Sequence, residues 1–204
     1  MLVKKGRNVP RRGLTTDAIT TAAIEYVRES GVDDFSLREL ATRLGVKPAS
    51  LYNHVGSANE IMVEVGRFAL RDLCDRLRAA RQAGDSMGCL ISMAEAYRSY
   101  ALENPELYKA IVRMPSYEDE TLSAEGHSIM GELYASLAQF QLSPVEAANF
   151  GRAYRSAMHG FVSLEMNGYF RGDPDAGQSY RFLMGQIVAS LDVNDVRPGE
   201  GRDR

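Results

Sequence analysis

Tyr52, Asn53 and His54 stand side by side and bring together a phenol, a carboxamide and an imidazole, three groups that nucleic acid engages. A tyrosine on an outward face can donate its hydroxyl to a phosphate oxygen while its ring lies on a sugar. An imidazole beside phosphates can bind neutral or charged, because it titrates near neutrality. Upstream, Arg38 carries the planar fork that can take guanine bidentately. Each also has a plainer role open to it. Tyr52 could be a core tyrosine with only its tip in water, His54 a packing residue, and Arg38 a solvated arginine on an amphipathic helix.

The framework that must position them is SLRELATRLGVKPASLYNHV, from Ser36 to Val55. Leu37, Leu40, Ala41 and Leu44 fall at i, i+3, i+4 and i+7, a single apolar stripe on a helix. Ser36 with Glu39 has the spacing of a capping box, which fixes the start of that helix. Gly45 stands where a left-handed residue closes a helix cheaply, and Val46 follows as a buried turn residue. Pro48 suits the first turn of the next helix, where its missing N–H has no partner anyway. That second helix has only Leu51 and Val55 as apolar anchors, so Ala49, Ser50, Tyr52, Asn53 and His54 are expected to face outward. The pattern is a helix-turn-helix, in which one helix supports and the other enters the major groove. An ordinary αα-hairpin would want a wider apolar face on its second helix.

Charge is distributed to match. The chain of 204 residues has a formal net charge of −3, which argues against a protein that coats nucleic acid throughout. Residues 1–60 nevertheless hold nine Lys/Arg against seven Asp/Glu, and the rest hold fifteen against twenty. Residues 1–13 form a basic arm with Lys4, Lys5, Arg7, Arg11 and Arg12 and no acid, read either as a solvated tail or as a segment that orders on DNA. Lys4 and Lys5 lead into GRNVPRRG rather than an apolar run, which is not the pattern of a signal peptide. No stretch is apolar enough to span a membrane. Cys74 and Cys89 make neither a zinc motif nor a disulfide framework, and a reducing cytoplasm fits them best.

Helix formers dominate and strand signals are almost absent, so the fold class expected is all-α. A first helix is predicted from about Thr16 to Ser30, burying Ile19, Ala22, Ala23, Tyr26 and Val27, with Gly31 as its stop. Residues 14–58 make the DNA module, whose tail reaches about residue 70. Ser57 and Glu60 form a second capping box and start a long helix, about Asn59–Ala83. Gly84 to Gly88 reads as a break. Residues 59–192 are expected as a helical effector and dimerisation domain, with helices at about Met87–Glu103, Pro105–Val112, Glu118–Phe140 (loosened near Gly126), Pro144–Tyr169 and Gln178–Leu191. Ser143, Pro144 and Glu146 give the clearest start signal among these. Residues 193–204 read as a disordered tail. Small residues at Ala147, Gly151, Ala157 and Gly160 invite close helix approach. The helices at about 144–169 and 178–191 are therefore the expected surfaces of a homodimer, which would let two reading heads meet a palindrome.

ITTAAIEYVRESG, DFSLRELATRLGVKPASLYNHVGS and the start of the long helix resemble the TetR family of bacterial transcriptional regulators, from about Leu14 to Leu70. The resemblance implies three N-terminal helices for DNA and a helical domain that dimerises and binds an effector. It places Lys47, Ala49 and Ser50 at the entry of the recognition helix, Tyr52 and His54 at phosphates or the groove, and Arg38 at a base edge or phosphate. Two positions depart from the family: Ala58, where a phosphate-binding lysine is common, and Val55 with Gly56, where a bulky aromatic is commoner. Farther on, YRSAMHGFVSLEMNGYF is similar to a subclass with a Trp-His-Gly signature, Met158 standing for the tryptophan before His159 and Gly160.

The second domain is rich in Met93, Tyr97, Tyr100, Tyr108, Met130, Tyr134, Tyr154 and Met158, which together with His159 could line an adaptable apolar pocket with hydroxyl handles. Plain core is the competing role for each. Gly84-Asp85-Ser86-Met87-Gly88 matches a nucleophile elbow, but a charged helix leads into it where a strand is required. With no HExxH, phosphate-cradling glycine loop or paired cysteines, no catalytic residue, metal or cofactor is expected. The expected protein is a cytoplasmic, homodimeric regulator, a repressor released from a palindromic operator of double-stranded DNA by a small molecule. A small helical enzyme, or an adaptor that dimerises without touching DNA, are the rival readings.

Overall fold

The computed structural model describes residues 14–82, 87–113 and 120–194, with the backbone alone for 120–123 and 192–194. Every regular element among them is a helix: α1 Thr16–Ser30, α2 Leu37–Arg43, α3 Pro48–Leu51, α4 Ala58–Gln82, α5 Gly88–Glu103, α6 Pro105–Arg113, α7 Glu120–Leu137, α8 Pro144–Met166 and α9 Ala176–Asn194. The chain divides into two compact units between Glu64 and Val65, inside α4. No helix among the described residues is long and apolar enough to cross a membrane.

In the first unit, α1 has the bounds its sequence predicts, and Thr15 caps it by accepting from the Ala18 N–H at 3.2 Å. Its buried face is Ile19, Ala23, Ile24, Tyr26 and Val27; Ala22 is only half-buried, and Ile24 takes its place. Arg43 ties α2 to α1. Its guanidinium lies 4.2 Å over the Tyr26 ring and pairs with Glu29 at 2.6 Å. The Tyr26 hydroxyl in turn donates to the Asp34 carbonyl at 2.6 Å and fixes the loop before α2.

The second unit is built on a core of Leu73, Leu77, Leu90, Met93, Tyr100, Tyr154, Met158, Val162, Tyr180, Met184 and Val188 and their neighbours. The start of α8 carries the full capping box: Ser143 accepts from the Glu146 N–H, and the Glu146 carboxylate accepts from the Ser143 N–H at 2.8 Å. Several boundaries differ from expectation. Helix α7 runs unbroken through Gly126 and stops at Leu137. Helix α8 ends at Met166, three residues early. Helix α9 begins at Ala176 because the Asp175 carboxylate accepts from the N–H groups of Gly177 at 2.7 Å and Gln178 at 3.2 Å. It extends to Asn194, into the stretch expected as tail. Its buried face is Tyr180, Met184, Val188 and Leu191, with Leu183 and Ile187 at the margin. Gly151 makes its close approach within the chain, where a Cβ would stand 3.5 Å from Leu133 and Met130 of α7, whereas Gly160 faces open space. The basic arm, the GDSMG residues 84–86 and residues 195–204 lie outside the described residues.

Candidate functional site

The turn between α2 and α3 is a Schellman closure. Gly45 adopts φ +65°, its N–H donates to the Thr42 carbonyl at 3.1 Å, and the Val46 N–H donates to the Ala41 carbonyl at 3.0 Å. Ser36 accepts from the Glu39 N–H at 3.2 Å, while the Glu39 carboxylate turns toward Arg43 at 3.9 Å instead of back to the cap. Val46 is half-buried rather than buried. Pro48 occupies the first turn of α3 as expected.

Helix α3 is shorter than its sequence suggests. It ends at Leu51, and the Leu51 carbonyl accepts from the N–H groups of His54 at 2.9 Å and Val55 at 3.0 Å. Tyr52, Asn53 and His54 therefore sit on a turn that continues the helix. Leu51 is wholly enclosed and Val55 is buried, which pins both ends of this segment to the unit's core. Between the two anchors Tyr52, Asn53 and His54 are turned out, and most of the residues before Leu51 are too. Tyr52 is 57 % exposed, Lys47, Ala49, Asn53 and His54 are exposed, and Ser50 is half-buried. Arg38 is exposed on α2. After Val55, the Glu60 carboxylate accepts from the Gly56 N–H at 2.6 Å and Ser57 accepts from the Glu60 N–H at 3.1 Å, so the entry to α4 is closed by its own side chains.

The second unit holds a partly open cavity of about 720 Å³. Helix α4 contributes Gly66, Leu70, Leu73 and Leu77, α7 contributes Ile129, Met130 and Leu133, and α5 adds Met93 and Tyr97. Helix α8 supplies the polar wall with Arg152, Arg155, Ser156 and His159, alongside Tyr154 and Met158. The Tyr97 and Tyr108 hydroxyls lie 3.1 Å apart, and Tyr108 is 2.7 Å from His159 Nδ1. Burial pushes the His159 imidazolium toward its neutral form, and the Arg155 charge pushes the same way. Burial likewise drives the Tyr108 and Tyr154 phenols far up. Tyr154 is committed elsewhere, its hydroxyl donating to the Leu90 carbonyl at 2.5 Å.

Of the residues expected to line a pocket, Met93, Tyr97, Met130, Tyr154, Met158 and His159 do so. Tyr108 borders a smaller neighbouring hollow that shares His159. Two lie elsewhere. Tyr100 is core, its hydroxyl donating to the Ala69 carbonyl at 3.0 Å, and Tyr134 is 42 % exposed with its ring edge beside Gly151 of α8. Residue type alone had suggested them. The leucines of α4 and the two arginines of α8 were missed, although Arg152, Arg155 and His159 stand at i, i+3 and i+7, a readable stripe.

A short helix anchored at both ends with a polar outer edge, followed by a cavity-bearing helical unit, defines a helix-turn-helix protein. Residues 19–65 match the bacterial regulatory proteins of the tetR family, and residues 90–187 match a tetracyclin repressor-like C-terminal domain that takes in Met158, His159 and Gly160. An uncharacterized HTH-type transcriptional regulator of Mycobacterium tuberculosis is 34 % identical over 190 residues, covering 91 % of this chain and 85 % of its own length. YobS, an uncharacterized HTH-type transcriptional regulator of Bacillus subtilis, is 30 % identical over 189 residues, covering 91 % and 97 %. Among solved structures, the TetR family transcriptional regulator PfmR from Thermus thermophilus is similar with a TM-score of 0.62 at 25 % identity, covering 84 % of this chain and 97 % of that one. A TetR variant from Acinetobacter baumannii in complex with minocycline shares the fold with a TM-score of 0.64 at 19 % identity, covering 91 % and 100 %. The chain belongs to the TetR family of transcriptional regulators.

Proposed function

We propose that the protein is a ligand-responsive repressor that binds a palindromic operator as a homodimer and leaves it when a small molecule fills the cavity. The observation that carries this reading is the double membership of α4. Its first turn closes the helix-turn-helix at Ser57, and farther along it walls the cavity with Leu70, Leu73 and Leu77. A ligand that favours one placement of α4 over another biases the reading head by linkage, typically by about 1–3 kcal/mol. The minocycline complex of the Acinetobacter baumannii TetR variant, a protein of the same fold, supports a small molecule as the effector.

Lys47, Ala49 and Ser50 stand at the entry of α3, where bases are read and the Lys47 ammonium also meets a phosphate, Tyr52 and His54 face phosphates, and Asn53 and Arg38 extend the contact surface. Dimerisation uses α8 and α9, whose outer sides carry Val145 at 69 %, Leu164 at 44 % and Phe182 at 70 % exposure. Two heads so joined would meet half-sites about one helical turn apart. The cytoplasm is the compartment where such a protein meets its operator. The test is selection of bound fragments from the source genome, followed by sequencing. Enrichment of a palindromic site supports the reading, and recovery of random fragments contradicts it.

A further inference from the structure

We infer that the cavity takes an anionic amphiphile, an apolar body carrying a carboxylate, and that Arg155 is the residue that senses its charge. This rests on the effector-binding reading above. The body of the ligand would lie against Leu70, Leu73, Ile129 and Leu133, and the polar wall opposite would be the α8 stripe of Arg152, Arg155 and His159. No Asp or Glu is among the described residues lining the cavity.

Four other arginines of this unit give the contrast. Arg71 pairs with Glu125 at 2.5 Å, Arg78 and Arg81 both pair with Glu132 at 2.8 Å, and Arg98 pairs with Glu165. Among the described residues, no carboxylate pairs with Arg152 or Arg155. The Arg155 charge is nevertheless felt by Tyr97, Tyr108 and His159, so it acts on the polar wall and not only on solvent. Both arginines are exposed at the open side of the cavity, so a carboxylate entering there replaces water as their partner, with charge-assisted hydrogen bonds from the guanidinium. A cationic ligand of the same size would meet two guanidinium groups and no acid. The Tyr97 hydroxyl and the His159 imidazole, joined through Tyr108, add neutral hydrogen-bonding groups beside the arginines.

The test is calorimetric titration of the full chain with matched probes: octanoate, 1-octanol and octyltrimethylammonium, then 2-naphthoate against naphthalene-2-methanol. At least one carboxylate is expected to bind about tenfold more tightly than its alcohol, with the trimethylammonium weakest. Arg155→Ala should erase that preference and Arg155→Lys should keep most of it, with thermal unfolding of the ligand-free variants as the check on folding. Equal binding of acid and alcohol, a preference that survives Arg155→Ala, or no binding of any probe overturns the inference. Should the alcohols bind as well as the acids, the cavity remains a ligand site and only its charge selectivity fails. Should a carboxylate bind in the Arg155-dependent way while the operator complex persists at saturation, the inference holds and the release mechanism fails.

Discussion

In the first unit Ile19, Ala23, Val27, Leu40, Ala41 and Leu51 are all at 0 % exposure, and the reactive side chains stand on the outer surface. In the second unit apolar side chains leave about 720 Å³ of space among them, and Tyr97, His159 and the exposed Arg152 and Arg155 stand along one side of it. The reading head is small and filled, so every core side chain matters to holding a rigid edge toward DNA. The second unit has a core large enough to leave a partly open cavity beside it. A filled head and a unit with room for a small molecule fit the reader and sensor proposed above.

The comparison breaks most visibly at Leu51. Leu51→Ala should cost about 2–5 kcal/mol in denaturant unfolding and abolish DNA binding, because little else holds α3. Loss of DNA affinity without loss of stability would mean that Leu51 is not the anchor described here. Glycines give the next largest contrast. Gly45→Ala, at φ +65° with open space around it, should cost about 1–2 kcal/mol from backbone strain alone. Gly131→Ala, inside α7 with equally open space, should instead stabilise by up to about 1 kcal/mol, measured in the same experiment.

A smaller effect is expected at Glu132. Burial raises its pKa, but hydrogen bonds from Arg78 and Arg81 more than offset this and hold the carboxyl below its ordinary value of 4.5. A depressed native pKa stabilises the fold fully above that ordinary value, and the contribution is lost as the pH falls through the native one. Glu132→Gln should therefore lower stability by on the order of 1 kcal/mol near neutral pH, and the gap from the parent should close in acid. A gap that persists there would assign the effect to packing. Smallest of all, Tyr52→Phe removes one hydroxyl and should weaken DNA binding by about 0.5–1.5 kcal/mol while leaving unfolding unchanged.

What could be read in advance follows the same division. The head is specified by short-range signals: the Ser36 cap, the Gly45 turn, Pro48, and the spacing of Leu51 and Val55 all act within a few residues of where they stand. Even there, α3 proved to be a single turn, because a helix and a helical turn share the same apolar spacing. The start of α9 was missed since Asp175 sits within GDPDAG, a string that reads as turn chemistry, although its carboxylate caps the helix. The cavity depends on which faces of five helices meet, and no local pattern encodes that. Choosing tyrosines and methionines by type found Met93, Tyr97 and Met158 but also Tyr100 and Tyr134, which the packing sends elsewhere.

The salt dependence of binding to a selected genomic fragment tests the central claim most directly. A head that sets Lys47 and Tyr52 against phosphates should lose affinity steeply, with log K falling linearly in log salt, and Lys47→Ala should flatten that slope by about one. Binding that is indifferent to salt, or a slope that Lys47→Ala leaves unchanged, would contradict the placement of this surface on DNA.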